Sequence, residues 1–239
     1  MKLWKRATGF FSGYYSLLLI FLFLLFILRP YDRGFVYLSI WKGCLTVVFF
    51  SSIFNCKHNR VIQITAMILG IPTFILTWVN LFDTNQNMLV INALFTVLFI
   101  SCVTASILYD VIMRARVTLE TLRGVICAYF MIAFAFGYMF YLVEFLVPGT
   151  IHFEGRTVLI QNFTHFLSEM LYFSFVTLLT IGYGDVTAVY DTGQTIAVIE
   201  GIIGQFYIAI LVARIVSVYA FYSERKLIKN IEKDIKKTR

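Results

Sequence analysis

A chain of 239 residues that is 60% hydrophobic, only 14% charged and has a mean hydropathy of +0.83 cannot hide its apolar surface inside a soluble domain of this size. A polytopic membrane protein is the expectation. The net charge of +7 does not point to nucleic acid, because the basic residues gather at span ends and in one tail, where they orient a membrane protein and meet anionic headgroups.

The chain opens with Lys2, Lys5 and Arg6 ahead of an apolar run, Phe10–Leu28. That resembles a signal peptide, but the run is long enough to span and no small-residue cleavage site follows it, so it is read as the first transmembrane helix. Five further spans are expected at Phe35–Phe54, Val61–Asn80, Met88–Tyr109, Gly124–Phe145 and Thr195–Tyr222. Six spans leave both termini on one side. The loops and tails of that side carry fifteen Lys and Arg residues, against three (Arg29, Arg33, Arg156) on the other. The excess of positive charge places both termini in the cytoplasm, with the plasma membrane as the expected location.

Cys44, Cys56, Cys102 and Cys127 fall in spans or inner loops without CxxC pairing, so no disulfide framework is expected. His58, His152 and His165 have no metal-ligand spacing. Lys42 stands alone inside the second span, and snorkelling toward the outer interface near Asp83 is preferred over a gating role. Asp110–Arg123 is not apolar enough to span. Ala115, Leu119 and Leu122 share one helical face with Arg114, Arg116, Glu120 and Arg123 around the rest, which predicts an interfacial linker helix. Beyond the fifth span, Asn162-Phe163-Thr164 forms a glycosylation sequon, with the bland reading preferred.

The most informative stretch is Thr180-Ile181-Gly182-Tyr183-Gly184-Asp185. Glycine accepts positive φ at no steric cost, so alternating it lets left- and right-handed conformations follow one another. Ile181 and Tyr183 then turn outward. The carbonyls of Thr180, Ile181, Gly182 and Tyr183 form a stack of oxygens above the Thr180 hydroxyl, and such a stack can replace the hydration shell of a potassium ion. Ahead of it, Ser168–Leu179 is an apolar, aromatic stretch of about three helical turns, too short to cross a bilayer. It reads as a re-entrant pore helix, allowed at membrane depth only when buried in protein. Asp191-Thr192-Gly193-Gln194 reads as the capped start of the sixth span.

Residues Tyr172–Asp185 and Gly204–Arg214 together resemble the pore domain of the tetrameric potassium-channel superfamily, and are similar to small bacterial members of the ion-channel pore family. The resemblance reaches from about Arg123 to Tyr222, under half the chain. It implies an all-α membrane protein with six transmembrane helices, and with a pore helix and selectivity filter between the fifth and sixth. Residues 1–113 would form a four-helix domain, 114–222 the pore domain and 223–239 a basic cytoplasmic tail. The filter, Thr180, Ile181, Gly182, Tyr183 and Gly184, would bind permeant K+ at Thr180, Ile181, Gly182 and Tyr183. Asp185, Tyr172, Phe173 and Thr177 would support it, and Gly204, twenty residues after Gly184, would be the inner-helix hinge or a close-packing glycine.

At about 100° per residue, Gln205, Ile208 and Val212 share a face assigned to the inner cavity, which Glu200 flanks without facing. A supporting partner behind the pore helix is the expected role of Glu200. The resemblance is imperfect in two places. Tyr172 and Phe173 stand where many relatives carry two tryptophans; Tyr172 can still donate to Asp185, whereas Phe173 can only pack, against Tyr183. The proline common after the aspartate is missing, with Ala188 near that place.

One chain supplies one filter strand, so the expected partners are three further copies of itself. Anionic lipid is expected at the tail, where Ile228, Ile231 and Ile235 form a short helical seam amid seven basic residues. No nucleic acid and no organic cofactor are expected. The expected function is passive, potassium-selective conduction without steep voltage gating; the alternatives are a pore subunit of a potassium uptake system or a channel gated by lipid or pH. A membrane enzyme would need a nucleophile–base pair, a metal set or a phosphate loop, and none is found.

Overall fold

The computed structural model describes residues 14–28, 35–55, 60–80, 85–113, 119–155 and 163–237. Among these are seven helices: α1 (Tyr14–Leu28), α2 (Phe35–Asn55), α3 (Arg60–Val79), α4 (Gln86–Met113), α5 (Leu119–Leu146), α6 (Phe163–Leu178) and α7 (Asp191–Lys237). Two three-residue strands, β1 (Ile151–Phe153) and β2 (Val186–Ala188), pair antiparallel with His152 opposite Thr187. Helices α3, α4, α5 and the first part of α7, Asp191–Leu211, are each long and apolar enough to cross a membrane. The described apolar parts of α1 and α2, Tyr15–Leu28 and Tyr37–Ile53, are shorter. The described residues thus form a mainly helical membrane protein, and four of the six expected spans are matched by length and composition.

Threonine hydroxyls inside the helices turn back on their own backbone, as polar groups must where lipid offers no partner. Thr46, Thr73, Thr96, Thr104 and Thr177 each donate to the carbonyl four residues earlier, at 2.7–2.9 Å. The bond from Thr73 to Leu69 O lies beside Pro72, the proline inside α3, which has no N–H to give its own helix.

Helix α5 is the hub. It packs against α1, α4, α6 and α7, and 61% of its most apolar window is buried, against 11% for that of α7. Gly137 lets α5 and α6 cross closely, since a Cβ there would come within 3.1 Å of Leu171 Cα. The first helix reaches the same hub through rings: Phe23 lies 4.7 Å from Phe130 of α5, and Phe26 lies 4.7 Å from Phe175 of α6.

The segment expected as a separate interfacial helix is divided between its neighbours. Asp110–Met113 continue α4 and Leu119–Arg123 open α5, while Arg114, Arg116 and the rest of 114–118 lie outside the described residues. Local bonds account for the difference. The Tyr15 hydroxyl donates to Asp110 Oδ2 at 2.8 Å, the Tyr15 amide donates to Glu120 Oε2 at 3.3 Å, and Arg123 pairs with Glu120. These polar groups fasten α4 and α5 to the start of α1 instead of facing headgroups. Lys42 also departs from expectation. It is 4% exposed, so its stem runs within the packed helices and not along a lipid face; Asp83 lies outside the described residues.

Candidate functional site

Helix α6 has 16 residues, about 24 Å at 1.5 Å per residue, short of a hydrocarbon core of about 30 Å. It begins five residues before the expected Ser168 and is buried between α5 and α7 along most of its length. The chain beyond Leu178 turns and runs back beside it, because the Ile181 amide donates to Val176 O at 2.9 Å and the Thr180 amide to Thr177 O at 3.0 Å.

The returning strand has the alternation expected of it. Thr180 (φ 56°), Gly182 (φ 60°) and Gly184 (φ 81°) are left-handed, and Ile181 and Tyr183 between them are not. Thr180 is the one non-glycine residue with positive φ among the described residues, a conformation that costs a side chain energy and marks a constrained position. Leu179–Gly184 are exposed in the single chain, and among the described residues nothing donates a backbone hydrogen bond to the carbonyls of Thr180, Ile181, Gly182 or Tyr183.

The outer end of this strand is held by the sheet. Glu154 N donates to Asp185 O at 2.9 Å, and Val189 N donates to Thr150 O at 2.8 Å, one at each end of the β1–β2 pair. Glu144, at the end of α5 and 5% exposed, fixes the approach to β1 by accepting from Gly149 N at 2.8 Å and Ile151 N at 2.7 Å. Neither the sheet nor Glu144 was legible beforehand; an acid close to a glycine-containing turn was the only sign.

At the inner end every carbonyl in the last turn of α6 has a donor, although a helix leaves its last four without one of their own. Phe175 O accepts from Leu179 N, Val176 O from Ile181 N, Thr177 O from Thr180 N and Leu178 O from the Tyr129 hydroxyl of α5 at 3.1 Å. Tyr129 also stacks on Tyr207 of α7, ring centroids 5.3 Å apart, and the Tyr207 hydroxyl donates to Val125 O at 2.5 Å. Neither tyrosine has a role assigned by the sequence, although Tyr207 lies in the stretch Gly204–Arg214, because a tyrosine in an apolar span looks like any other aromatic.

Glu200 is fully buried behind α6, its Oε1 hydrogen-bonded to the Ser174 hydroxyl, in the position expected for a supporting partner. Gly204, one turn further along α7, is buried inside an unbroken helix, and a Cβ there would come within 2.6 Å of Leu178 O. The geometry therefore gives Gly204 a close-packing role in this conformation. Gln205 and Thr180 line one open hollow with Gly201, Ile202 and Phe206. Ile208 is exposed but lies outside that lining, and the Val212 side chain is outside the described residues.

The remaining support residues fall on two sides. Thr177 bonds Phe173 O with its hydroxyl and gives its carbonyl to Thr180. Phe173 differs from expectation: its buried ring packs on Phe140 of α5, centroids 4.7 Å apart, while Tyr183 is 69% exposed. A phenyl ring has no polar atom to bring toward Asp185, so burial against α5 is its better contact. Tyr172 and Asp185 are both half-buried.

A short buried helix, a returning strand of alternating handedness and long apolar helices on either side make up the candidate site of a helical membrane protein. Residues 126–220 match the family model described as ion channel, which supports a channel-type domain in this part of the chain. No curated protein and no solved structure matches the chain.

Proposed function

We propose that this chain is the subunit of a potassium-selective channel, with six spans and a re-entrant pore helix, in which four copies surround one pore. The observation that carries the reading is the positive φ at Thr180, Gly182 and Gly184 alone within the filter segment. Carbonyls so disposed face one way, and four such strands would supply rings of oxygens spaced along an axis. The unburied face of α7 supports assembly, since Val198, Ile202, Phe206 and Ile210 are all largely exposed in the single chain. Domain limits at 113 and 222, cytoplasmic termini, residence in the plasma membrane and anionic lipid at the tail belong to the same reading. The helical path of α7 runs on to Lys237, while the side chains of the tail seam lie outside the described residues.

The test is reconstitution of the purified protein into liposomes with potassium and sodium flux measured separately. Potassium flux well above sodium flux is expected, and Gly182→Ala should abolish it, because a Cβ at left-handed φ costs roughly 1–2 kcal/mol per subunit. Equal permeability to the two ions would overturn the reading.

A further inference from the structure

Ser174 of α6, like Glu200, is fully buried, and its hydroxyl oxygen meets two others: Ala133 O of α5 at 2.7 Å and Glu200 Oε1 of α7. A hydroxyl carries one hydrogen, and a peptide carbonyl can only accept. The hydrogen between Ser174 and Ala133 must therefore be the serine's. The hydrogen between Ser174 and Glu200 must then come from the carboxyl group. The other assignment has an ionised Glu200 accepting from Ser174. It sets two oxygens 2.7 Å apart with no hydrogen between them, and it buries a negative charge whose Oε2 has no hydrogen-bond partner. The other polar group close by on α5 is Tyr129, one turn before Ala133, and its hydroxyl is given to Leu178 O. Among the described residues no lysine, arginine or histidine pairs with Glu200.

We propose that Glu200 is a neutral carboxylic acid whose proton, donated to Ser174, positions α6 between α5 and α7. Ala133, Ser174 and Glu200 then form one chain of hydrogen bonds across three helices, two turns before Thr180. The consequence for conduction rests on reading α6 as the pore helix; the proton itself does not.

Infrared difference spectra of the purified full-length protein at neutral pH, wild type minus Glu200→Gln, test the proton directly. A carboxylic-acid carbonyl band is expected in the wild type, and it should move in Ser174→Ala, where its acceptor is gone. Carboxylate bands in its place, or an acid band that Ser174→Ala leaves unmoved, would overturn the proposal. In liposomes, Glu200→Gln, neutral and still a donor, should keep potassium flux within about twofold, while Ser174→Ala should lose roughly tenfold as a buried donor is left unpaired. Loss of flux in a correctly assembled Glu200→Gln protein would also overturn it. A wild type without potassium flux would sink the pore reading and leave the infrared result to decide the proton.

Discussion

The Tyr129 hydroxyl and the Leu178 carbonyl, 3.1 Å apart, join helix α5 to the point where helix α6 gives way to the returning strand Leu179–Gly184. The other three terminal carbonyls of α6 are satisfied by amides of the chain just beyond. This is the bond in the last turn that depends on a side chain from another element. Tyr129→Phe keeps the ring on Tyr207 and removes only the donor. An unsatisfied carbonyl in so tight a place should cost about 1 kcal/mol per subunit. The measurable result is a lower thermal midpoint for the assembled protein and a shorter mean open time in single-channel records. An unchanged midpoint and open time would mean that Leu178 O finds another donor.

Gly204→Ala separates packing from hinging. A Cβ would come within 2.6 Å of Leu178 O, a distance that backbone on both sides cannot absorb without movement. The substitution should destabilise the assembly by about 1–3 kcal/mol, the usual range for overpacking. Size-exclusion chromatography after mild heating reports it. Normal stability with altered gating would instead favour the hinge.

At the outer mouth the candidate bond is from Tyr172 to Asp185. Phe173 packs on Phe140, and on the proposed reading Tyr172 is the residue of α6 expected to hold the aspartate side chain. Tyr172→Phe should speed the decline of current during sustained opening. An unaltered time course at normal expression would assign the mouth to the sheet, where Asp185 O already accepts from Glu154 N.

What could be read in advance follows from how local the cause is. Glycine at alternate positions announces alternate handedness by itself, and Gly182 and Gly184 adopt it. Apolar runs near twenty residues announce spans because bilayer thickness sets that length. Three-residue strands 32 residues apart announce nothing: Phe153 and Val186 pair only because α6 and the strand after it go in and come back. Glu200 was recognisable as an acid in need of a partner, but Ser174 becomes that partner only once α6 lies against α7. The linker before α5 failed for a related reason, since Tyr15, more than ninety residues away, holds both Asp110 and Glu120.

On the proposed reading, the four helices ahead of α5 invite the label of voltage sensor, and their charges argue against it. Moving one elementary charge through the membrane field is worth about 2.3 kcal/mol per 100 mV, so a steep response needs several charges in each subunit. Helix α4, where a sensor would carry a row of arginines, has no charged residue from Met88 to Tyr109, and Asp110 near its end is bonded to Tyr15. In α3, Arg60 is the first residue and no charge follows. Lys42 remains, buried within the packed helices. One lysine held in that way cannot travel far through the field without breaking the packing around it. Helices α1 and α4 instead fasten to α5 through Tyr15, Asp110 and Glu120, which suits a scaffold better than a moving sensor. Open probability measured in planar bilayers should therefore vary little between strongly negative and strongly positive potentials. A sigmoidal conductance curve worth more than one or two charges per subunit would refute this, and Lys42→Met would then show whether that lysine carries them.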